Sequence, residues 1–134
     1  MTKQNNSVDE LLFVYGNLKL GFDNNYLLKD AILVDRNAIL QGYAMYLLIN
    51  KPGIVECQSH NAYGELYKVN NAILTNLDIL ENPSKFFRQK LYIKSGISYV
   101  HSWVFIYNSN LYNKKLIIKS GKWSHNSINE FFSI

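Results

Sequence analysis

The sequence contains few of the residues on which disulfide-rich and metal-binding proteins depend. A single cysteine, Cys57, occurs among 134 residues, which excludes an internal disulfide framework and a metal site built from several cysteines. The three histidines, His60, His101 and His125, lie far apart and form no HxxxH or HxH pattern. The sequence therefore gives little support to a metal site.

Arginine and charge in general are also scarce. Only 18% of the residues are charged, and Arg36 and Arg88 are the only two arginines, although the net charge is +4. No predicted helix concentrates the positive charge, so a solvated basic face is favoured over a nucleic-acid-binding surface. A basic barrel that binds nucleic acid remains the weakest of the alternatives.

Long apolar runs are missing as well. The longest, such as residues 44–49, are too short to cross a bilayer. Residues 1–10 are polar and mixed in charge, unlike the apolar stretch of a signal peptide. We therefore expect a cytoplasmic protein that does not associate with a membrane.

The residues that are abundant indicate one strand-rich domain spanning residues 1–134. Hydrophobic residues make up 48% of the chain, with ten tyrosines and seven phenylalanines. The patterns predict strands at 11–15, 38–48, 54–57, 62–69, 86–93, 98–107 and 116–118, and turns at 51–53 and 95–96. A helix is predicted at 72–80, with Asn70 or Asn71 as its N-cap. Shorter helical turns are predicted at 26–29 and 127–132. This order favours an α+β fold built on a small, curved mixed sheet or barrel.

Glu81 is a candidate general base because of its position. It lies at the C-terminal end of the predicted helix, where the helix dipole disfavours negative charge. Asp78 lies three residues earlier on the same face and adds like-charge repulsion. Both effects raise proton affinity, as a general base requires. The alternative is an ordinary solvated glutamate at a helix end.

Residues 15–18 are a candidate anion-binding loop. Gly16 follows a predicted buried strand, and the backbone there can direct consecutive N–H groups at one point, which suits a carboxylate or a phosphate. A plain β-turn is the alternative. Tyr107, at the end of an alternating strand, either offers its hydroxyl to a ligand or belongs to the core.

Cys57 and His60 are the remaining candidates, as a thiol nucleophile and its base. Their i, i+3 spacing in an extended segment predicts side chains on opposite faces of a strand. The pattern therefore favours a buried structural cysteine.

Taken in order, these motifs resemble the γ-glutamyl cyclotransferase-like superfamily, in particular its γ-glutamylamine cyclotransferase and AIG2-like branch. Residues 13–19 (FVYGNLK), followed by Gly21 and Asn25, resemble its FVYGTLKxG…N signature. Residues 64–69 (GELYKV) resemble its GELYxV strand, and 77–81 (LDILE) its LDxLE helix end. Residues 103–107 (WVFIY) resemble its WVYxY strand, and 120–123 (SGKW) its terminal SGxW. Phe87 and Arg88 stand near its YxR element. The likeness spans about residues 11–124.

The resemblance implies a compact mixed β-barrel flanked by helices, with a ligand cavity at the loop. The substrate would be a small γ-glutamyl amine or peptide, and the site would need no cofactor. Backbone amides around Tyr15, Gly16, Asn17 and Leu18 would hold its α-carboxylate. Glu81 matches the family's catalytic glutamate, which takes a proton from the α-ammonium and later helps to protonate the leaving amine. The products would be 5-oxoproline and the free amine.

Three departures from the family pattern bear on substrate choice. Asn17 stands where Thr or Ser is usual, Phe86 and Phe87 stand where a Tyr is expected, and Lys122 replaces a commoner acidic residue. Residues 51–60 and 109–115 are candidates to line the far side of the cavity. The alternative function is a non-catalytic small-molecule binding module on the same scaffold, since a fold does not guarantee activity. The sequence is compatible with either a monomer or a homodimer.

Overall fold

Six strands and one α-helix form the fold in our computed structural model, which describes residues 9–81, 83–108 and 116–128. The strands are β1 (Glu10–Val14), β2 (Ile32–Leu47), β3 (Pro52–Val69), β4 (Phe86–Ser95), β5 (Ser98–Tyr107) and β6 (Ile117–Ile118), and the helix is α1 (Asn71–Leu80). A short 3-10 turn, Asn25–Leu28, lies between β1 and β2. The predicted α+β class is confirmed.

The strands form a ring. Their order is β3-β1-β5-β4-β2-β6, and β2 also pairs with β3, so that five strands close on themselves. β1 and β5 are parallel, whereas the other neighbours are antiparallel. At the β2–β4 junction the ring is joined at one residue pair, Ile39 with Lys94. The result is a less regular ring than the predicted barrel, with one α-helix among the described residues.

The central strand β1 positions the candidate loop. Its residues Leu12, Phe13 and Val14 are all buried, as expected for a strand with a neighbour on each side. Gly64 of β3 lies so close to β1 that a Cβ there would collide with the carbonyl oxygen of Val14. This close approach of the two backbones fixes where β1 ends and the loop begins.

Helix α1 carries Glu81 at its end. As predicted, Asn70 is the N-cap, with its side chain accepting from the Ile73 amide at 2.9 Å. The buried face includes Leu77, whereas Leu80, the last residue of the helix, is 55% exposed. Glu81 leaves the helix with an extended backbone, and its amide donates to the Leu77 carbonyl at 2.8 Å. Because Glu81 is the C-cap, its backbone is fixed relative to the buried face of the helix.

The segment predicted as two strands with a preceding turn is a single long strand, β3. The turn is closed earlier, by a hydrogen bond from the Leu48 amide to the Lys51 carbonyl at 2.9 Å, and Pro52 already belongs to the strand. Residues 57–60 bulge out opposite Gly42, which has a φ of +83°. The prediction of two separate strands was wrong because the ladder resumes beyond the bulge.

The bulge also corrects the expectation for Cys57 and His60. Cys57 Sγ lies 3.2 Å from His60 Nδ1, and the cysteine is half-buried rather than buried. The side chains meet because the bulge interrupts the strand alternation on which the prediction rested.

The helical turn predicted at 127–132 and the possible cavity segment 109–115 fall mainly or wholly outside the described residues. None of the helices within the described ranges combines the length and the apolarity needed to cross a bilayer.

Candidate active site

A cavity of about 260 Å³ lies between the end of β1 and the end of α1. Pockets for drug-sized ligands begin at about 300 Å³, so this one suits a small molecule. Five of the six predicted site residues line it: Tyr15, Gly16, Asn17, Leu18 and Glu81. The other contributions come from β1, the 3-10 turn, the start of β3, α1, Phe86 and Phe105.

Residues 16–19, which we call the glycine turn, form one side of the cavity. The Lys19 amide donates to the Gly16 carbonyl at 3.0 Å, while the amides of Gly16, Asn17 and Leu18 donate to no acceptor among the described residues. This hydrogen bond closes a β-turn, and its preceding N–H groups, left free, are of the kind that bind anions. A Cβ on Gly16 would lie 2.8 Å from Pro52 Cγ, so close packing makes glycine necessary here.

The C-terminal segment holds the glycine turn from outside the cavity. Trp123 Nε1 donates to Asn17 Oδ1 at 2.8 Å, and Lys19 Nζ donates to the Trp123 carbonyl at 2.6 Å. Burial lowers the pKa of the Lys19 ammonium below its ordinary value. Asn17 is thus an acceptor with a defined partner, a role that the sequence did not reveal.

A second set of hydrogen bonds fixes the residues that follow. The buried carboxylate of Glu65 accepts from the Leu20 amide at 2.9 Å and from the Tyr67 hydroxyl at 3.1 Å. Asn25 Nδ2 donates to the Leu18 carbonyl at 2.8 Å and to the Tyr67 oxygen at 3.1 Å. In the sequence, Glu65 and Asn25 appear only as members of two separate motifs. Their shared role in holding the residues after the glycine turn depends on the contact between those motifs in the folded chain.

Tyr15 contributes a ring to the cavity while its hydroxyl is engaged elsewhere. The hydroxyl donates to the Phe105 carbonyl at 2.7 Å. Burial raises the pKa of the Tyr15 phenol well above its ordinary value, and the nearby Glu81 carboxylate raises it further. The phenol therefore stays protonated, and we expect it to order the site rather than to exchange protons.

Tyr107, the sixth predicted residue, lies behind the cavity. It is buried, and its ring meets the edge of Phe86 with 5.1 Å between ring centroids. Phe86 lines the cavity and Tyr107 does not. Tyr107 would therefore affect a ligand indirectly, by positioning the ring of Phe86.

Glu81 faces Lys51 across the cavity mouth. Glu81 Oε2 lies 3.2 Å from Lys51 Nζ, and their side chains are 20% and 36% exposed. The same ammonium lies 4.5 Å from the centre of the Phe86 ring. The sequence placed residues 51–60 near the cavity but contained no sign of this ion pair, since the partners are 30 positions apart.

Asp78 does not act on Glu81 as the sequence argument assumed. Both of its carboxylate oxygens accept from Arg88, from Nε and from Nη2, each at 2.8 Å. The guanidinium in turn lies 4.1 Å from the centre of the Trp103 ring. The arginine offsets the negative charge that was expected to repel the Glu81 carboxylate.

The site can therefore combine a carboxylate with a set of free amides in one small cavity. Within the described ranges, no group of three or more His, Cys, Asp or Glu side chains is arranged to hold a metal ion. A carboxylate can move protons, and amides can hold an anion.

Comparisons with known proteins identify related sequences and related folds. The chain is 30% identical over 112 residues to the gamma-glutamylcyclotransferase family protein YtfP of Escherichia coli K12, covering 84% of this chain and 94% of the relative. The crystal structure of Bacillus subtilis YkqA aligns with a TM-score of 0.75 and 21% identity, over 92% of this chain and 43% of that longer one. A mouse AIG2-like protein aligns with a TM-score of 0.65 and 24% identity, over 81% and 82% of the two chains. Residues 12–125 match the family described as gamma-glutamyl cyclotransferase, AIG2-like, and the chain belongs to that family.

Proposed function

We propose that this chain is a γ-glutamyl cyclotransferase that releases 5-oxoproline and a free amine from a small γ-glutamyl amine or peptide. The observation that carries the proposal is the meeting of Glu81 with the free amides of the glycine turn in one cavity. Membership of the family supports the same reaction.

Both charged groups on the α-carbon of a γ-glutamyl group find a complementary partner in this cavity. Its α-carboxylate binds the amides of Gly16, Asn17 and Leu18, which have no other acceptor among the described residues. Its α-ammonium binds the carboxylate of Glu81. These two contacts fix the α-carbon and its amine in the cavity. Because the attacking amine and the γ-carbonyl belong to one molecule, only the short chain between them has to be oriented for ring closure, which lowers the barrier.

The reaction is an internal acyl transfer. Glu81 takes a proton from the α-ammonium, and the lone pair of the freed amine attacks the γ-carbonyl carbon. A bond forms between the α-nitrogen and that carbon, which closes a five-membered ring. The bond to the leaving nitrogen then breaks as that nitrogen takes up the proton held by Glu81. The freed carboxylate takes the remaining excess proton from the ring nitrogen and passes it to the released amine, which leaves as an ammonium ion. One carboxylate thus serves as base and then as acid.

The test is product release by matched variants. The wild-type chain is incubated with γ-glutamyl-lysine, γ-glutamyl amino acids and glutathione, and 5-oxoproline is measured by mass spectrometry. At least one substrate should yield product, and Glu81→Gln should lower kcat by about a hundredfold to ten-thousandfold with little change in thermal stability. Asp78→Asn is the control, because Asp78 lies on the same helix outside the cavity lining, and it should retain activity.

Two results would contradict the proposal. Undiminished turnover by Glu81→Gln would remove Glu81 from its role. Binding of γ-glutamyl ligands with no turnover of any of them would indicate a small-molecule binding module instead.

A further inference from the structure

Lys51 is the one cation among the cavity-lining residues that the structure describes. It follows directly on the turn closed by the Leu48–Lys51 hydrogen bond and precedes Pro52, which packs against Gly16. Its backbone is therefore fixed from both sides. Only its side chain can change interaction partners at the cavity mouth.

The free protein gives this ammonium two partners. One is Glu81 Oε2 at 3.2 Å, and the other is the face of Phe86 at 4.5 Å from the ring centre. Lys51 and Glu81 are the two charged residues in the described lining, so they balance each other. The ion pair therefore leaves the empty cavity without net charge.

Binding of a γ-glutamyl group disturbs that balance. An α-ammonium that reaches Glu81 competes with Lys51 for the same carboxylate. Lys51 then keeps its contact with Phe86, which favours a cation over the ring face, but it loses its anion. Lys51 is then left with the ring and water as partners, so a substrate that brings a second carboxylate close to it gains a charge-assisted hydrogen bond that a substrate without one lacks.

We infer that Lys51 determines specificity by binding a carboxylate on the leaving amine. The inference rests on the proposed cyclotransferase function. The substrate class it selects is a γ-glutamyl amino acid or peptide in which a carboxylate lies near the scissile bond, in preference to a γ-glutamyl alkylamine. In this role Lys51 exchanges one carboxylate, Glu81, for another that the substrate supplies.

The experiment uses two substrates that differ in this carboxylate alone, γ-glutamyl-alanine and γ-glutamyl-ethylamine. The measured quantity is the ratio of their kcat/KM values for 5-oxoproline release. A hydrogen bond to a charged group gives a preference of about tenfold to a hundredfold, so the wild-type ratio should lie in that range. Lys51→Met keeps an unbranched stem over Phe86 and should bring the ratio to about one, chiefly through KM. Lys51→Arg retains the charge and should retain a preference.

Other results would overturn the inference. An unchanged ratio in Lys51→Met would show that the leaving-group carboxylate is bound elsewhere. An equal loss for both substrates would assign Lys51 to the shared γ-glutamyl part or to the position of Glu81. Lys51→Gln serves as a second neutral variant, with thermal melting of each variant as the control for folding.

Calorimetric binding of the same two ligands separates this inference from the proposed function. A binding preference that Lys51→Met removes, without turnover of either ligand, would support the role of Lys51 and contradict the enzyme. Absence of binding to either ligand by the wild-type chain would overturn both.

Discussion

The two sides of the cavity are held in different ways. The glycine turn is fixed by hydrogen bonds to Trp123, Asn25 and the turn's own backbone, and the next residue is tied to the buried Glu65. The opposite side, at the end of α1, presents Glu81 on a partly exposed ion pair with Lys51. Several partly buried hydrogen bonds act together on the first side, whereas a single exposed ion pair contributes little. The anion-binding side is therefore rigid, and the proton-transfer side can exchange partners.

Loss of the Glu65 carboxylate should have the largest effect on stability. Glu65→Ala leaves the Leu20 amide and the Tyr67 hydroxyl without their acceptor, and each unsatisfied buried group costs about 1–3 kcal/mol. We expect the free energy of unfolding to fall by about 3 kcal/mol in urea titration. Glu56→Ala, an exposed glutamate on the same strand, should change it by less than about 0.5 kcal/mol. Equal losses in the two variants would contradict the rigidity assigned to the turn.

Overpacking at Gly16 should have the next largest effect. The added methyl of Gly16→Ala meets Pro52 Cγ at 2.8 Å, and such overpacking costs about 1–3 kcal/mol. Product release should fall as well, because the turn must shift. Pro52→Ala removes the atoms that clash, so the double variant should recover part of the loss. Strict additivity in this double-mutant cycle would locate the cost elsewhere.

Removal of the Trp123 indole N–H tests the support of Asn17. Trp123→Phe removes the donor to Asn17 Oδ1, which should cost about 1 kcal/mol in thermal unfolding and raise KM. Trp103→Phe is the matched control, since its Nε1 donates to Glu10, away from the cavity. A rise in KM for both variants would indicate a general loss of order rather than loss of one contact.

The ion pair between Glu10 and Lys90 is partly exposed, and its loss should have the smallest effect on stability. A hydrogen bond from Lys90, at 2.8 Å, lowers the pKa of Glu10 below its ordinary value of 4.5. A lowered folded-state pKa stabilises the protein above that ordinary value, and the contribution is lost as the pH falls through the folded-state pKa. Glu10→Gln should therefore cost less than about 1 kcal/mol at neutral pH. The difference should disappear in acid, and a difference that persists there would assign the effect to packing.

The features that were predictable from the sequence depend on neighbouring residues. An N-cap at Asn70 or Asn71 and the burial of the strand before Gly16 follow from short-range patterns, and both are confirmed, with Asn70 as the cap. The general positions of β4 and β5 follow from the alternation of their side chains and from the turn between them. These elements are sufficient to bring the glycine turn and Glu81 to one cavity.

The features that were missed depend on partners far apart in the chain. No sequence pattern around Asp78 indicates its ion pair with Arg88, and none around Glu81 indicates its ion pair with Lys51. The meeting of Cys57 with His60 depends on a four-residue bulge opposite Gly42, which the register between β2 and β3 determines. Pairings of this kind form only once the sheet has closed. Patterns of neighbouring residues therefore could not predict the ion pairs of the site.

The contact between Asn17 and Trp123 has a consequence for the order of folding. Its partners are 106 positions apart, and those of the Tyr15–Phe105 bond are 90 apart. Contacts of such long range form slowly, because the chain must first pay the entropy of closing a large loop. During synthesis from the N-terminus, the glycine turn emerges early but receives the hydrogen bond from Trp123 only when residue 123 appears. The protein should therefore become able to bind a ligand only after the sheet has formed, as the last step of folding.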